Sequence, residues 1–369
     1  MKKNMLILIL CFAFLSPGAR AFNLENELQT DQSNISKIEC GFEAWNVITL
    51  DEERIRKHNE YSYCTESESE IKYLMHLINS FNFISSEEWC STGAGYGISI
   101  KYNAETAEDP IEVKYSSDSF TSYLTGTIFV IWKLYDPNVF QDCTEYKMVD
   151  DSLDKFMEVI RAINRGDIVI DESSSSQEIS AWAEEEIKTA IGLSLVPKWN
   201  QINYKGQINR LETCQITANY FILNGYTRDK WYYKNVASEP DKINNPIINY
   251  APAPFSDIND TSVNCMYGYE IVTGKEIKKF YPYDKLTREE FAKILSKAYH
   301  YVNKEAKTDE TENVYADNEQ ISDWARPYVN EMTALGVLHG DDDGCFDPQG
   351  QITKEQVIVA LLRLYNLSH

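Results

Sequence analysis

No two cysteines of the chain stand in C-x-x-C spacing, and His58 and His76 in its first half have no ligand-spaced partner. Zinc-ribbon and thioredoxin-like chemistry are therefore not expected, and no metal or cofactor is. Basic residues are scarce, with 35 Lys and Arg against 57 Asp and Glu and a net charge of −22. That balance argues against nucleic acid as a partner, because phosphate binding is dominated by neutralising cations. A nucleophile elbow, a zinc helix motif and a Cys/His signature are also missing, so an enzyme is not the first expectation. Beyond the N-terminus no apolar run reaches the roughly 18 residues that a membrane helix requires.

The apolar run at the start, Met5 to Leu15, follows Lys2 and Lys3 and is broken by Ser16, Pro17 and Gly18. It is too short to span a bilayer. Ala19 and Ala21 frame an Ala-Arg-Ala cleavage site, so Met1 to Ala21 reads as a removed secretory signal peptide. Leu10 before Cys11 is not the small residue a lipobox needs. Cleavage would take the net charge from −22 to about −25 by removing Lys2, Lys3 and Arg20. A polyanionic ligand would then need local basic sites that overcome the mean field. Of the remaining cysteines, Cys40, Cys64, Cys90 and Cys143 leave N-terminal disulfides open, while Cys214, Cys265 and Cys345 read as buried small apolar residues.

Two regions differ in texture. Ser173 to Ser176 forms a low-complexity join, so 171–178 reads as a linker between a domain at 22–170 and a C-terminal half. In the first region Ile71, Leu74, Met75, Leu77 and Ile78 recur at helical spacing. Alternation at 98–102 and 111–115, an apolar stretch at 127–135 and a closing helix at 153–163 give a small α+β domain. Gly93, Gly95 and Gly97 lack dinucleotide spacing and read as a hairpin-type turn. Glu87 and Glu88 beside Trp89 suggest half of a glycosidase acid/base pair, but solvated charges are the preferred reading.

The C-terminal half repeats itself. Val263-Asn264-Cys265-Met266 through Gly274 matches Val329-Asn330-Glu331-Met332 through Gly340 without a gap, and Thr287-Arg288-Glu289-Glu290 and Thr353-Lys354-Glu355-Gln356 follow in register. A more worn copy runs from Ile179 through Asn209-Arg210-Leu211-Glu212. The copies occupy 179–225, 255–305 and 313–367, with a Pro-containing insertion at 226–254. Each reads as helix, loop, helix. Asn209 with Glu212, Thr287 with Glu290 and Thr353 with Gln356 predict capping boxes, and the second helices present one apolar face that a single copy cannot bury. Capping does not explain Arg210, Arg288 and Lys354, because a cation in the first turn opposes the helix dipole. An anion in a groove does explain them. Asp341-Asp342-Asp343-Gly344 fails as a calcium loop, since His339 and Gly350 fall at ligand positions, and reads as a tight turn.

These residues resemble the S-layer homology family over roughly Ser175 to Leu367. Phe255-Ser256-Asp257 and Tyr315-Ala316-Asp317 match its Phe-x-Asp start, Trp182 and Trp324 its first-helix tryptophan, and Asp343 to Pro348 its loop. The resemblance implies an exported surface protein of Gram-positive type with an all-α, pseudo-threefold bundle. Grooves between its repeats would bind secondary cell-wall polysaccharide, often pyruvylated, and anchor the chain to the wall without a covalent bond. Arg288, Arg210, Lys354, Trp324, Trp182, Glu290, Gly274 and Gly340 are the expected wall-polymer contacts. A wall-tethered hydrolase, a minor lattice component and a scaffold for protein contacts are the competing readings.

Overall fold

The computed structural model describes residues 35–43, 63–80, 83–86, 95–102, 112–117, 127–132, 143–148, 152–226, 253–304, 306 and 315–369. The chain divides into two compact units, Met1–Ile170 and Asp171–His369. The expected signal peptide, His58, the Glu87-Glu88-Trp89 cluster and most of the 226–254 insertion lie outside the described residues.

In the first unit, β1 (Ile35–Glu43) lies between β2 (Tyr63–Thr65) and β4 (Gly95–Tyr102), antiparallel to both. A second antiparallel sheet has the order β3 (Phe83–Ser86), β7 (Cys143–Met148), β6 (Thr127–Trp132), β5 (Glu112–Ser117). The helix α1 (Glu68–Asn79) buries Ile71, Leu74, Met75, Leu77 and Ile78, the five residues at helical spacing. Its first turn holds Glu68 and Glu70, which suit the positive end of the helix dipole. A second helix, α2 (Ser152–Arg165), buries Phe156 and Ile160 and stops where Gly166 takes φ +77°. One expectation fails: Gly95 and Gly97 are strand residues, paired with Glu43 and Gly41, because β1 is long enough to hold them in the ladder. Gly93 lies outside the described residues.

The second unit is helical. Its first copy has α3 (Glu184–Gly192), a short 3-10 turn at Lys198–Asn200, and α4 (Arg210–Leu223). The second has α5 (Thr261–Gly268) and α6 (Arg288–Val302), and the third α7 (Arg326–Ala334) and α8 (Lys354–Asn366). All three capping boxes form, on Asn209, Thr287 and Thr353. The serine run is an ordered turn and not a slack linker. The Asp171 carboxylate accepts from the N–H and hydroxyl groups of both Ser173 and Ser174, and the Asn203 N–H reaches the Ser176 carbonyl.

One set of backbone bonds joins the starts of α4, α6 and α8 in a ring. Arg210 and Leu211 N–H donate to Asp284 and Pro282, Arg288 and Glu289 to Gly350 and Pro348, and Lys354 and Glu355 to Gly206 and Tyr204. The first-turn N–H groups that a helix leaves unpaired are thus satisfied by the loop of the next copy. Below this ring lies one continuous apolar core from Ala183 to Leu364, including Phe221, Phe280, Phe291 and Phe346. Cys214 and Cys265 are buried in it, as a small apolar residue would be, whereas Cys345 is only partly covered.

Candidate ligand grooves

Among the described residues two grooves open between copies, and corresponding positions build both. The first, of about 230 Å³, has Arg210 of the first copy, Gly274 and Glu290 of the second and Trp324 of the third on its walls. The second, of about 500 Å³, has Arg288 of the second copy, Gly340 and Gln356 of the third and Trp182 of the first. Each groove therefore draws on all three copies. Trp324 and Trp182 are 46% and 54% exposed, an unusual state for tryptophan.

The two arginines are held from behind. Arg210 donates from Nε to the Phe280 carbonyl at 3.0 Å and from an Nη to the Thr273 carbonyl at 2.7 Å, and its guanidinium lies 4.4 Å from the Phe280 ring centre. Arg288 does the same with the Phe346 and His339 carbonyls at 2.6 and 2.9 Å, over the Phe346 ring at 4.9 Å. Burial lowers both guanidinium pKa values, but guanidinium stays charged at any ordinary pH. The phenylalanines are fixed in turn by the Phe-x-Asp starts. Asp257 accepts from Phe280 and Tyr281 N–H groups, Asp317 from Phe346 and Asp347. Gly274 and Gly340 are required by close approach. A Cβ on Gly274 would lie 2.6 Å from the Lys279 carbonyl and 2.9 Å from the Phe255 ring, and one on Gly340 2.9 Å from the Tyr315 ring.

Lys354, the third cation, is placed differently. Its side chain is 3% exposed, its ammonium donates to the Ile202 carbonyl at 3.0 Å, and it pairs with Glu212 at 2.7 Å. It repeats the carbonyl contact of Arg210 and Arg288 but lies on neither groove wall. An ammonium cannot reach past the carbonyl as the guanidinium fork does, so the neighbouring carboxylate satisfies it. Burial would raise the Glu212 carboxyl, but Lys354 and the Asn209 N–H outweigh it and hold the pKa below its ordinary value. Glu290 is shared: its carboxylate closes the α6 capping box on Thr287 N–H at 3.0 Å while it lines the smaller groove.

Two residues the motif reading passed over hold the turns that precede the tryptophans. Glu289, 3% exposed, accepts from the N–H and hydroxyl of Ser322, two residues before Trp324. Glu355, 5% exposed, does so for Ser180, two before Trp182. The first copy has Leu211 at this helix position, and the second copy, which would receive its contact, has no Ser-x-Trp turn. That pairing was visible in the sequence, as a glutamate present where the next copy has the turn and absent where it does not. Asp341 is occupied in its own turn, accepting from Asp343 and Cys345 N–H groups, with Gly344 at φ +74°.

Residues 254–292 and 315–358 match the family model described as S-layer homology domain, at the second and third copies. An endoglucanase of Bacillus sp. (strain KSM-635) is 33% identical over 106 residues, 28% of this chain and 11% of that protein. An amylopullulanase of Thermoanaerobacterium thermosulfurigenes is 28% identical over 119 residues, 31% of this chain and 6% of that protein. Exoglucanase XynX of Acetivibrio thermocellus is 27% identical over 120 residues, 31% and 11% of the two lengths. The chain thus spans about a tenth or less of the length of these curated relatives. With the motifs, the capped helices and the matched stretches in agreement, the C-terminal unit of this chain carries S-layer homology domains.

Proposed function

We propose that the C-terminal unit anchors an exported protein to the cell wall by holding secondary cell-wall polysaccharide in its grooves. The observation that carries this reading is the repetition of one groove plan: a buttressed arginine, a glycine-backed loop and a half-exposed tryptophan, each from a different copy. A cation beside an aromatic ring suits an acidic sugar, whose anionic substituent meets the cation while its apolar face stacks on the indole. The fold that goes with the reading is three S-layer homology copies about a pseudo-threefold axis, behind an α+β domain and a cleaved signal peptide. Pyruvylated polysaccharide is the expected partner. Among the described residues no helix is long and apolar enough to cross a membrane.

The test is co-sedimentation of the full chain with purified cell walls, before and after acid removal of pyruvate. Sedimentation that depends on pyruvate is expected, and a chain that stays in the supernatant with intact walls overturns the reading. The chain is proposed as a binding protein and not an enzyme, with a wall-tethered hydrolase as the alternative. The relatives' names describe proteins of which this chain covers about a tenth or less, and release of reducing sugar from soluble glucans by the full chain would favour that alternative.

A further inference from the structure

The two grooves share a plan but not a charge. The Trp324 groove has Arg210, Lys275 and Lys293 on its walls against Glu290. The Trp182 groove has Arg288 and Arg363 against Asp341, Asp342 and Asp347. Formal charges are thus +2 and −1 from these side chains, within a chain of −22. The contrast sits at corresponding positions: the gapless register of the second and third copies places Lys275 opposite Asp341 and Lys293 opposite Val359.

The pairing of these groups takes one cation from each groove and leaves the difference standing. Arg363 is held by a two-pronged bond to Glu186, at 2.8 and 3.0 Å, so it offers little to a ligand. Lys275 reaches Asp284 at 2.8 Å, which moderates its contribution. Lys293 stands over the Trp324 ring, 5.3 Å from its centre, with the cation at the surface where a sugar would stack. One turn further on, Lys297 has its pKa lowered first by burial and then by the Lys293 charge, which outweigh Glu270. The Trp182 groove has an aliphatic residue where Lys293 would be, and three aspartates whose field repels an anion.

We propose that the grooves divide the polymer between them, the Trp324 groove taking a carboxylate-bearing sugar and the Trp182 groove a neutral one. This rests on the wall-anchoring reading and adds to it which groove reads the acid and which side chain makes the choice. Arg288, buttressed like Arg210, then serves the Trp182 groove as part of its wall and as a donor to sugar oxygens.

The experiment is calorimetric titration of the full chain with purified pyruvylated wall polysaccharide and with the same material after carboxyl reduction, which turns each carboxylate into an alcohol. The intact chain should prefer the native polymer by about tenfold, the effect of one charge-assisted contact. Lys293→Gln should remove most of that preference. Trp182→Ala should weaken both polymers alike, and Val359→Lys combined with Asp341→Lys should strengthen the native polymer severalfold. A Lys293→Gln chain that keeps the full preference, or an intact chain that binds both polymers equally, overturns the division and leaves anchoring intact. An intact chain that binds neither polymer removes the anchoring reading and the division with it.

Discussion

Arg210, Arg288 and Lys354 occupy the same position at the start of a helix and show how little a motif letter says about environment. Dipole energetics made all three look misplaced, and the structure supplies the compensation from carbonyl oxygens of the neighbouring loop. The expected outcome of Arg288→Ala is therefore a loss of about 2 kcal/mol in stability as well as weaker wall binding, because two charge-assisted bonds and a ring contact go together. Chemical denaturation beside sedimentation separates the two effects. Lys354→Met should cost about 2 to 4 kcal/mol, since it strands Glu212 in a largely covered site, and should leave both groove walls intact. A loss under about 0.5 kcal/mol on denaturation would show that the pair is not stabilising. Because the Glu212 pKa is lower folded than unfolded, its contribution is complete above the ordinary glutamate value of 4.5 and declines as pH falls below it. In Lys354→Met that acid-side decline should shrink, measured as thermal midpoint against pH.

At the scale of elements, the helix starts act as clamps as well as caps. Thr287→Ala removes one half of a capping box and should lower stability by about 1 kcal/mol, read by denaturant midpoint. Glu289→Leu copies what the first copy has at Leu211. It deprives the Ser322 N–H and hydroxyl of their acceptor, so the turn before Trp324 should loosen. Indole fluorescence quenching by acrylamide should rise, with α6 still formed and about 1 to 3 kcal/mol lost. Unchanged quenching would mean that the tryptophan is aimed by packing alone.

At the scale of the whole C-terminal unit, each copy completes its neighbours. Stacked repeats usually contact only adjacent units along a line, so an end repeat can be lost at local cost. Here the third copy returns to the first through Lys354 with Ile202, Glu355 with Ser180 and the backbone bonds to Tyr204 and Gly206. A chain lacking residues 171–226 should therefore fail to give a cooperative unfolding transition for the second and third copies. Retention of a sharp transition in calorimetry would show that two copies suffice.

Much of this molecule was legible along the chain because its causes are local. Capping boxes need residues three apart, amphipathic faces need residues three and four apart, and both were set by 287–299 and 353–365 without reference to anything distant. The repeat register located the loops, glycines and tryptophans in the same way. The fates of the three cations were not legible, because each is decided by a carbonyl or carboxylate between 51 and 152 positions away. Only closure of the copies on one another brings those groups within reach, burying Lys354 with Glu212 while leaving Arg210 and Arg288 on groove walls. It also sets Lys293 against Trp324 and Asp341 near Trp182, so that two grooves of one design differ in charge. The sequence by itself determined the helices, their caps and the plan of a copy; tertiary structure decided which charged groups line the grooves, since that depends on what the next copy places opposite them.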